Sequence, residues 1–190
     1  MIYQSDQYFD FVKGDRQKSF FGEGLVAHVS TAEPTCKTLT QQLQQASDGL
    51  DLNLHTGKTY GCVDGPRLGT RAESFFLRGA AGCDLVGMTN VPEVFLAREA
   101  QICYATLTIA TDYDCWLDDP AQHVSVAQVI ARYGASLERA KTLLHQLVRD
   151  EAKRQEISPC SCRHALDSAV MTPLEQLNDD KRALLELLKR

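Results

Sequence analysis

Residues 64–116 read DGPRLGTRAESFFLRGAAGCDLVGMTNVPEVFLAREAQICYATLTIATDYDCW, and three segments of this stretch carry polar side chains typical of a ligand site. They are Asp64–Arg67, Gly87–Glu93 and Thr111–Trp116. A helix-like apolar run and a strand-like apolar run separate them, so each segment falls where a regular element ends. Because α/β proteins bind their ligands in the loops at such ends, the stretch predicts an α/β fold with its functional site in these loops.

Helix and strand signals alternate along the chain, which predicts a sheet flanked by helices. The predicted helices are 35–47, 70–78, 92–100, 124–133, 136–153 and 172–189, with Gly134 separating the fourth from the fifth. The predicted strands are 2–12, 25–29, two short strands within 50–63 joined by a turn at 55–58, then 83–86 and 102–110. The last run is almost continuously apolar, so it is expected to lie buried on both faces. Capping-box patterns at Thr70 and at Thr172 mark two of the helix starts.

The composition is that of a globular protein with one domain. The 190 residues are 44% hydrophobic and 24% charged, with a formal net charge of −5. This negative charge argues against a nucleic-acid partner, and no apolar run reaches the roughly 20 residues of a membrane span. Because the N-terminus also lacks the features of a signal peptide, a cytoplasmic location is expected.

Asp112 and Asp114 directly follow the apolar 102–110 run, which places them at the carboxyl edge where a parallel sheet opens its ligand crevice. Residues at i and i+2 of an extended segment point the same way. Two such carboxylates can accept hydrogen bonds from an amino group and, if one is protonated, donate to a ring nitrogen, as a purine with an exocyclic amine requires. The alternative is a pair of solvated loop aspartates or a helix cap.

Gly87-Met88-Thr89 ends the preceding predicted strand. The glycine permits close backbone approach to a ligand, the methionine can pack on a sugar, and the threonine hydroxyl before a helix start can bind an anion. The alternative is a tight turn with Met88 in the core.

The cysteine and histidine pattern predicts no metal site. Five of the seven cysteines are scattered and are interpreted as small core residues. Cys160, Cys162 and His164 lie close together, but they lack enough neighbouring ligands in the sequence for zinc.

Three blocks of the chain resemble the methylthioadenosine phosphorylases of the trimeric purine nucleoside phosphorylase family. They are GPRLGTRAES (Gly65–Ser74), GMTNVPEVFLAREA (Gly87–Ala100) and CYATLTIATDYDCW (Cys103–Trp116). The resemblance implies a phosphorylase/hydrolase-like fold with a mixed sheet. It also implies a homotrimer that uses phosphate as co-substrate, without a cofactor, to convert 5'-methylthioadenosine into adenine and 5-methylthioribose 1-phosphate.

The resemblance also assigns roles to residues of this chain. Asp112 would help to protonate purine N7, Asp114 would hold the exocyclic amine, and Tyr113 between them would contact the substrate. Met88 would contact the ribose and Thr89 the phosphate. Relatives that prefer 6-oxopurines carry Asn in place of the first acidic residue, so these aspartates favour a 6-aminopurine.

The remaining roles lie outside these two segments. Leu68 stands where relatives carry a phenylalanine that stacks on the base, which leaves the base preference open. His28 and Val126 would line the pocket for the methylthio group, and Gly69 together with Val126 would affect specificity. Cys160-Ser161-Cys162 is similar to a Cys-x-Cys of some relatives in which disulfides occur; two reduced thiols are the alternative.

The resemblance covers only the C-terminal part of the family. Family members also have an N-terminal half that supplies the first strands and most of the phosphate site, including a Gly-rich turn and an Arg-His pair. This sequence contains no counterpart of that half. The prediction is therefore a partial phosphorylase domain at 1–155 with a C-terminal helical extension at 156–190. A separate N-terminal half is a possible partner. The alternatives are a chain that binds without turnover, and a phosphorylase for 6-oxopurine nucleosides.

Overall fold

Strand β1 (Ile2–Asp10) lies inside a four-stranded sheet of order β3-β2-β1-β4. The computed structural model describes residues 1–118, 126–153 and 160–189, with the backbone alone at 126–129 and 131. The other strands are β2 (Leu54–Cys62), β3 (Leu85–Gly87) and β4 (Thr106–Ile109). Strands β1, β2 and β3 run parallel, and β4 runs antiparallel to β1. The predicted α/β fold with a mixed sheet is confirmed.

The two short strands predicted around the His55 turn form one continuous strand, β2. The predicted turn is a bulge, where Tyr3 pairs with His55 but Ser5 pairs with Lys58, so β2 holds one extra residue. Gly57 has a φ of 70° there, a conformation that glycine adopts without strain. The glycine marks an irregular position, and pairing with β1 keeps the chain extended on both sides of it.

Strand β4 is shorter and less buried than the sequence predicts. All four of its residues are half-buried. Leu107 and Ile109 pack against the core, whereas Thr106 and Thr108 alternate with them along the strand. The prediction of burial on both faces is wrong, because all four residues keep part of their surface exposed and β4 is the last strand on its side of the described sheet.

The helices flank this sheet. The α-helices among the described residues are α1 (Lys37–Asp48), α2 (Arg71–Phe75), α3 (Glu93–Glu99), α4 (Val126–Ala152) and α5 (Asp179–Leu188). Helix α2 continues into a π-helical turn at Phe76–Ala80. The first predicted capping box is confirmed, since the Thr70 and Glu73 side chains each accept a hydrogen bond from the other residue's backbone N–H.

Helix α4 is continuous, although the sequence predicts two helices separated by Gly134. An interior glycine costs a helix only about 0.5–1 kcal/mol, which packing of Ala140 and Leu143 in a core with α1 and β2 offsets. The helical pattern of the sequence also predicts burial of Leu144 and Val148. They are 44% and 66% exposed, so the buried stripe is rotated from the predicted one.

A second core joins the C-terminal residues to the segment before α1. Its buried members are Leu25, Leu166, Ala169, Leu177, Leu185 and Leu188. Thr172 does not open the last helix as predicted, because its hydroxyl accepts from Val26 N and donates to Gly24 O. Asn178 caps α5 instead, accepting from Lys181 N at 2.9 Å.

Two predictions fall outside the described residues: the helix start at 124 and the boundary between 155 and 156. No helix in the described parts of the chain has the length and apolarity needed to span a membrane.

Candidate functional site

Residues 64–70, the 64–70 loop, leave the end of β2 and are anchored at both ends. At the first end, Asp64 Oδ2 accepts from Lys13 N at 2.7 Å and Gly14 N at 2.9 Å, and Arg16 lies 3.6 Å from Oδ1. These backbone hydrogen bonds, with the charge of Arg16, lower the pKa of Asp64. The loop is thereby tied to the segment that follows β1.

At the other end, an ion pair folds the loop onto the start of α2. The Arg67 guanidinium binds both carboxylate oxygens of Glu73, at 2.9 and 2.7 Å. Together with the Thr70 backbone and hydroxyl, this pair lowers the pKa of Glu73 from 4.5 to about 2. Such a bidentate pair fixes geometry more than it stabilises the fold, because both side chains are exposed.

Met88 packs over the backbone of the 64–70 loop. A Cβ added to Gly65 would lie only 2.7 Å from Met88 Sδ, so the contact requires a glycine. Gly87 makes a similar contact, because a Cβ there would overlap the Tyr60 hydroxyl. Burial raises the pKa of Tyr60, and hydrogen bonds with Thr89 oppose that rise. The β2–β3 register, which pairs Cys62 with Gly87, thus sets the position of Met88.

The segment after β4 holds both aspartates in defined local conformations. Thr111 Oγ1 donates to Asp112 Oδ2 at 2.7 Å, and Asp114 Oδ1 accepts from Cys115 N at 2.8 Å. The second oxygen of each carboxylate accepts no hydrogen bond from the described residues. Each aspartate thus keeps one acceptor oxygen available.

The same segment contacts the 64–70 loop and helix α2. Cys115 Sγ lies 3.7 Å from Gly69 O, and Arg71 binds both oxygens of Asp118 at 3.0 and 3.2 Å. The Arg78 guanidinium stacks on the Trp116 ring, 3.7 Å from its centroid. The 64–70 loop therefore touches Met88 through Gly65 and the aspartate segment through Gly69.

The sequence argument for bringing these loops together was wrong in one respect. It places Asp112 at the carboxyl edge of a parallel sheet, but β4 is antiparallel to β1, with Ile109 opposite Ile2. The carboxyl end of β4 therefore lies at the opposite end of β1 from those of β2 and β3. The segment 111–118 nevertheless reaches the 64–70 loop, and the contact between Cys115 Sγ and Gly69 O joins the two.

The remaining predicted site residues differ in solvent exposure and in their place in the fold. Leu68 is 83% exposed and Tyr113 is 51% exposed. His28 lies apart from the three loops, since its backbone N–H donates to Ala169 O at 2.9 Å beside the second core. Val126 begins α4, and its side chain is outside the described set.

Three further residues support the site without a signal in the local sequence. Tyr60 contacts Gly87 and Thr89 across the β2–β3 pairing. Asn90 is buried, and its Nδ2 has no hydrogen-bond partner among the described residues. Arg16 donates to Val91 O at 2.6 Å and lines a shallow cleft with Thr89. Strand register and the path of the chain through the fold bring these residues together, and neither can be read from the local sequence.

Comparison with known proteins identifies the family. A model of the phosphorylase superfamily matches residues 3–149. The chain belongs to the phosphorylase superfamily. The resemblance stated from the three sequence blocks is thereby confirmed.

Two relatives of this superfamily chain are S-methyl-5'-thioadenosine phosphorylases. The protein from Nitrosopumilus maritimus is 42% identical over 163 residues, covering 86% of this chain and 59% of its own. The protein from Geobacter sulfurreducens is 38% identical over 183 residues, covering 96% of this chain and 62% of its own. The chain thus spans about three-fifths of the length of these relatives.

Solved structures agree with this relationship. A methylthioadenosine phosphorylase from an antarctic soil metagenomic library matches with a TM-score of 0.88 and 38% identity, over 98% of this chain and 64% of that one. The methylthioadenosine phosphorylase of Schistosoma mansoni, solved in complex with adenine, matches with a TM-score of 0.73 and 31% identity, over 81% and 60% of the two chains.

Proposed function

We propose that this chain provides the base- and ribose-binding part of a phosphorylase that cleaves 5'-methylthioadenosine with phosphate, giving adenine and 5-methylthioribose 1-phosphate. The observation that supports this is the 64–70 loop, which contacts Met88 at one end and the Thr111–Trp116 segment at the other. Two relatives named S-methyl-5'-thioadenosine phosphorylases, which are 42% and 38% identical to this chain over 163 and 183 residues, also support it.

The proposed chemistry follows from charge development during bond cleavage. As the glycosidic bond breaks, the sugar becomes oxocarbenium-like and negative charge moves onto the purine. A protonated Asp112 donating to N7 would neutralise that charge, while Asp114 accepts from the exocyclic amine. In support, each carboxylate is oriented through one oxygen by a neighbouring donor, Thr111 Oγ1 or Cys115 N. Tyr113 would contact the base beside them.

Sugar and phosphate would bind on the Met88 side. Met88 offers a half-buried thioether for the ribose, and the exposed Thr89 hydroxyl would bind phosphate, the co-substrate. Arg16 and Thr89 line the same open cleft of about 370 Å³, so a positive charge lies near the proposed anion position. No cofactor is required. Leu68 and Gly69 would approach the base, and His28 and Val126 would approach the methylthio group.

The assembly and location belong to the same proposal. We expect a homotrimer in the cytoplasm, and exposed apolar side chains such as Phe75 (54%) and Phe76 (51%) support burial against another polypeptide. A polypeptide that carries the N-terminal half of the family is a second candidate partner. Light scattering coupled to size-exclusion chromatography distinguishes a trimer from a monomer or a two-component complex.

The decisive experiment incubates the purified chain with 5'-methylthioadenosine and phosphate and measures adenine release. Phosphate-dependent release supports the full proposal. Release only after addition of a separate N-terminal half supports a split enzyme. Adenine binding by calorimetry without release under either condition would establish the alternative, a chain that binds without turnover, and faster release from inosine would indicate a 6-oxopurine enzyme.

A further inference from the structure

Four cysteines from three separate parts of the chain meet at one point. The Sγ atoms of Cys36, Cys103, Cys160 and Cys162 all lie within 4.8 Å of one another. Cys160 Sγ is 3.4 Å from Cys36 Sγ and 3.5 Å from Cys103 Sγ. We call these four residues the thiol cluster. Cys36 is buried, as its interpretation as a small core residue predicts, whereas Cys103 is half-buried, and both belong to one cluster although they are scattered in the sequence.

Local structure explains how the cluster forms. Cys36 caps helix α1, and its Sγ accepts from Leu39 N at 3.4 Å. Its own N–H donates to Tyr104 O at 2.8 Å, which brings the segment containing Cys103 alongside. Cys160 and Cys162 lie at the start of a 3₁₀ turn, Ser161–His164, where the C-terminal segment reaches α1.

We propose that the thiol cluster binds one Zn²⁺ ion as a structural Cys₄ site. Zinc–thiolate bonds of about 2.3 Å in a tetrahedron place sulfur atoms about 3.8 Å apart, so the observed separations need only small side-chain adjustments. Four soft sulfur donors with no oxygen ligand favour Zn²⁺ over Mg²⁺ or Ca²⁺. A closed set of four protein ligands is typical of a structural site, not a catalytic one.

The surroundings of the cluster suit a thiolate site. Cys36 and Cys162 are buried, and Cys103 and Cys160 are half-buried. A bound Zn²⁺ ion would displace the thiol protons and be held by four thiolates. The Leu39 N–H, which donates to Cys36 Sγ at 3.4 Å, would donate to the same sulfur in the metal site.

A path for the ion exists on the surface. A cleft of about 390 Å³ is lined by Cys160, Ser161 and Cys162. Lys37 and Arg98 also line it, and they would offset the net negative charge of a zinc tetrathiolate; Glu33, which pairs with Lys37 at 3.3 Å, is the acidic group there. His164 is not among the residues whose ligand atoms lie together at the cluster, and its Nδ1 lies 3.1 Å from Asp167 Oδ2.

The proposed ion has a structural consequence that is independent of catalysis. It would join α1, the segment before β4 and the C-terminal segment at one point. The sequence alone does not indicate this cluster, because only Cys160 and Cys162 are neighbours in the chain and their two partners come from distant segments.

The test measures metal directly on the full chain. The chain is purified under reducing conditions after growth with zinc and analysed by elemental mass spectrometry, then reconstituted with Co²⁺ for absorption spectroscopy. We expect one zinc per chain, and Co²⁺ spectra with sulfur-to-metal charge transfer and the intense d–d bands of tetrahedral coordination. Cys36→Ser and Cys162→Ser should lose the zinc, whereas the control Cys115→Ser, outside the cluster, should keep it.

Other results would overturn the proposal. They are a reduced chain that carries no zinc and binds no Co²⁺, equal zinc content in the cluster variants and the control, or an intact mass four hydrogens lower with these cysteines joined in two disulfides. The cobalt spectrum of the unmodified chain keeps the test valid if a serine variant does not fold. Because none of these measurements uses methylthioadenosine, failure here is distinct from failure of the proposed activity.

Discussion

At the scale of single residues, the absence of a side chain at two glycines sets the position of Met88, the residue proposed to contact the sugar. Gly65 admits Met88 Sδ against the loop backbone, and Gly87 admits the Tyr60 hydroxyl against β3. Neither contact is needed for a strand or a turn to form. They instead set how closely the 64–70 loop approaches the end of β3, and so the position of Met88.

Gly87→Ala is expected to destabilise the chain by about 1–3 kcal/mol, because its Cβ would overlap the buried Tyr60 ring and hydroxyl. Gly79→Ala is the matched control, since an added Cβ there meets nothing within 4 Å. Urea denaturation of both variants gives the two free energies of unfolding. Equal values would show that Tyr60 does not occupy the space beside Gly87.

Asp112→Asn should lower kcat/KM for methylthioadenosine phosphorolysis by about 10²- to 10⁴-fold, the usual contribution of a general acid. The asparagine keeps the hydrogen bond from Thr111 but cannot transfer a proton to N7. Asp167→Asn, an exposed change in the C-terminal segment, is the control for general effects of a lost carboxylate. An unchanged kcat/KM in Asp112→Asn would remove the proposed role of this residue.

Residue types with a conspicuous local pattern could be predicted from the sequence. Asp112, Asp114 and Met88 stand in short polar segments after apolar runs, and their chemistry is readable there. Tyr60 and Cys36 could not be predicted as partners of those segments or of Cys160, because the contacts arise from strand register and from helix capping.

At the scale of elements, local capping was predictable and pairing was not. The Thr70 capping box is confirmed at the start of α2. The bulge at Gly57 and the antiparallel direction of β4 both depend on β1, a strand that the sequence marks only as an extended segment. Because Gly57 is interpreted as part of a turn, the sequence predicts two strands where the structure has one, β2.

The ion pair at the start of α2 predicts an acid transition confined to the 64–70 loop. The pKa of Glu73 is lowered in the folded chain to about 2, so the pair stabilises the loop fully above pH 4.5 and is lost as the pH falls towards 2. The Thr70 N–H donates to Glu73 Oε2 at 2.7 Å, so the NMR shift of this amide reports the titration.

Arg67→Gln should move that titration midpoint upward, towards the ordinary value for glutamate, because Arg67 is the main cause of the shift. The Thr40 amide, which donates to the backbone oxygen of Cys36 and not to a carboxylate, is an internal reference. An identical midpoint with and without Arg67 would contradict the proposed anchoring of the loop.

Gly134→Ala should stabilise the chain by about 0.5–1 kcal/mol, since the glycine lies inside continuous helix α4 and an added Cβ meets nothing within 4 Å. Urea denaturation measures the gain. A loss of stability would instead support the helix break at Gly134 that the sequence predicts.

At the scale of the whole molecule, the chain contains separate cores that meet around the sheet. One contains α1, β2 and α4, and another joins residues near Leu25 to the C-terminal segment. The thiol cluster connects these parts, because α1 contributes Cys36 and the C-terminal segment contributes Cys160 and Cys162. The fold class was predictable from alternating elements, whereas this long-range arrangement was not.

Metal removal should therefore destabilise the C-terminal segment more than it destabilises the sheet. With a strong chelator, we expect faster amide exchange in α5 and in the 3₁₀ turn Ser161–His164, with little change in β1 and β2. Hydrogen exchange followed by mass spectrometry measures both regions in one sample. The Cys115→Ser chain should respond like the unmodified protein, and a uniform loss of protection would contradict a local structural role.

The central position of β1 has a consequence for synthesis on the ribosome. Ile2 pairs with Leu54 on one side and with Ile109 on the other. During translation the parallel β1–β2 pair can form long before β4 emerges, so one edge of β1 stays without its neighbour for a large part of elongation. Such non-local pairing slows folding and leaves nascent chains open to aggregation until β4 is available.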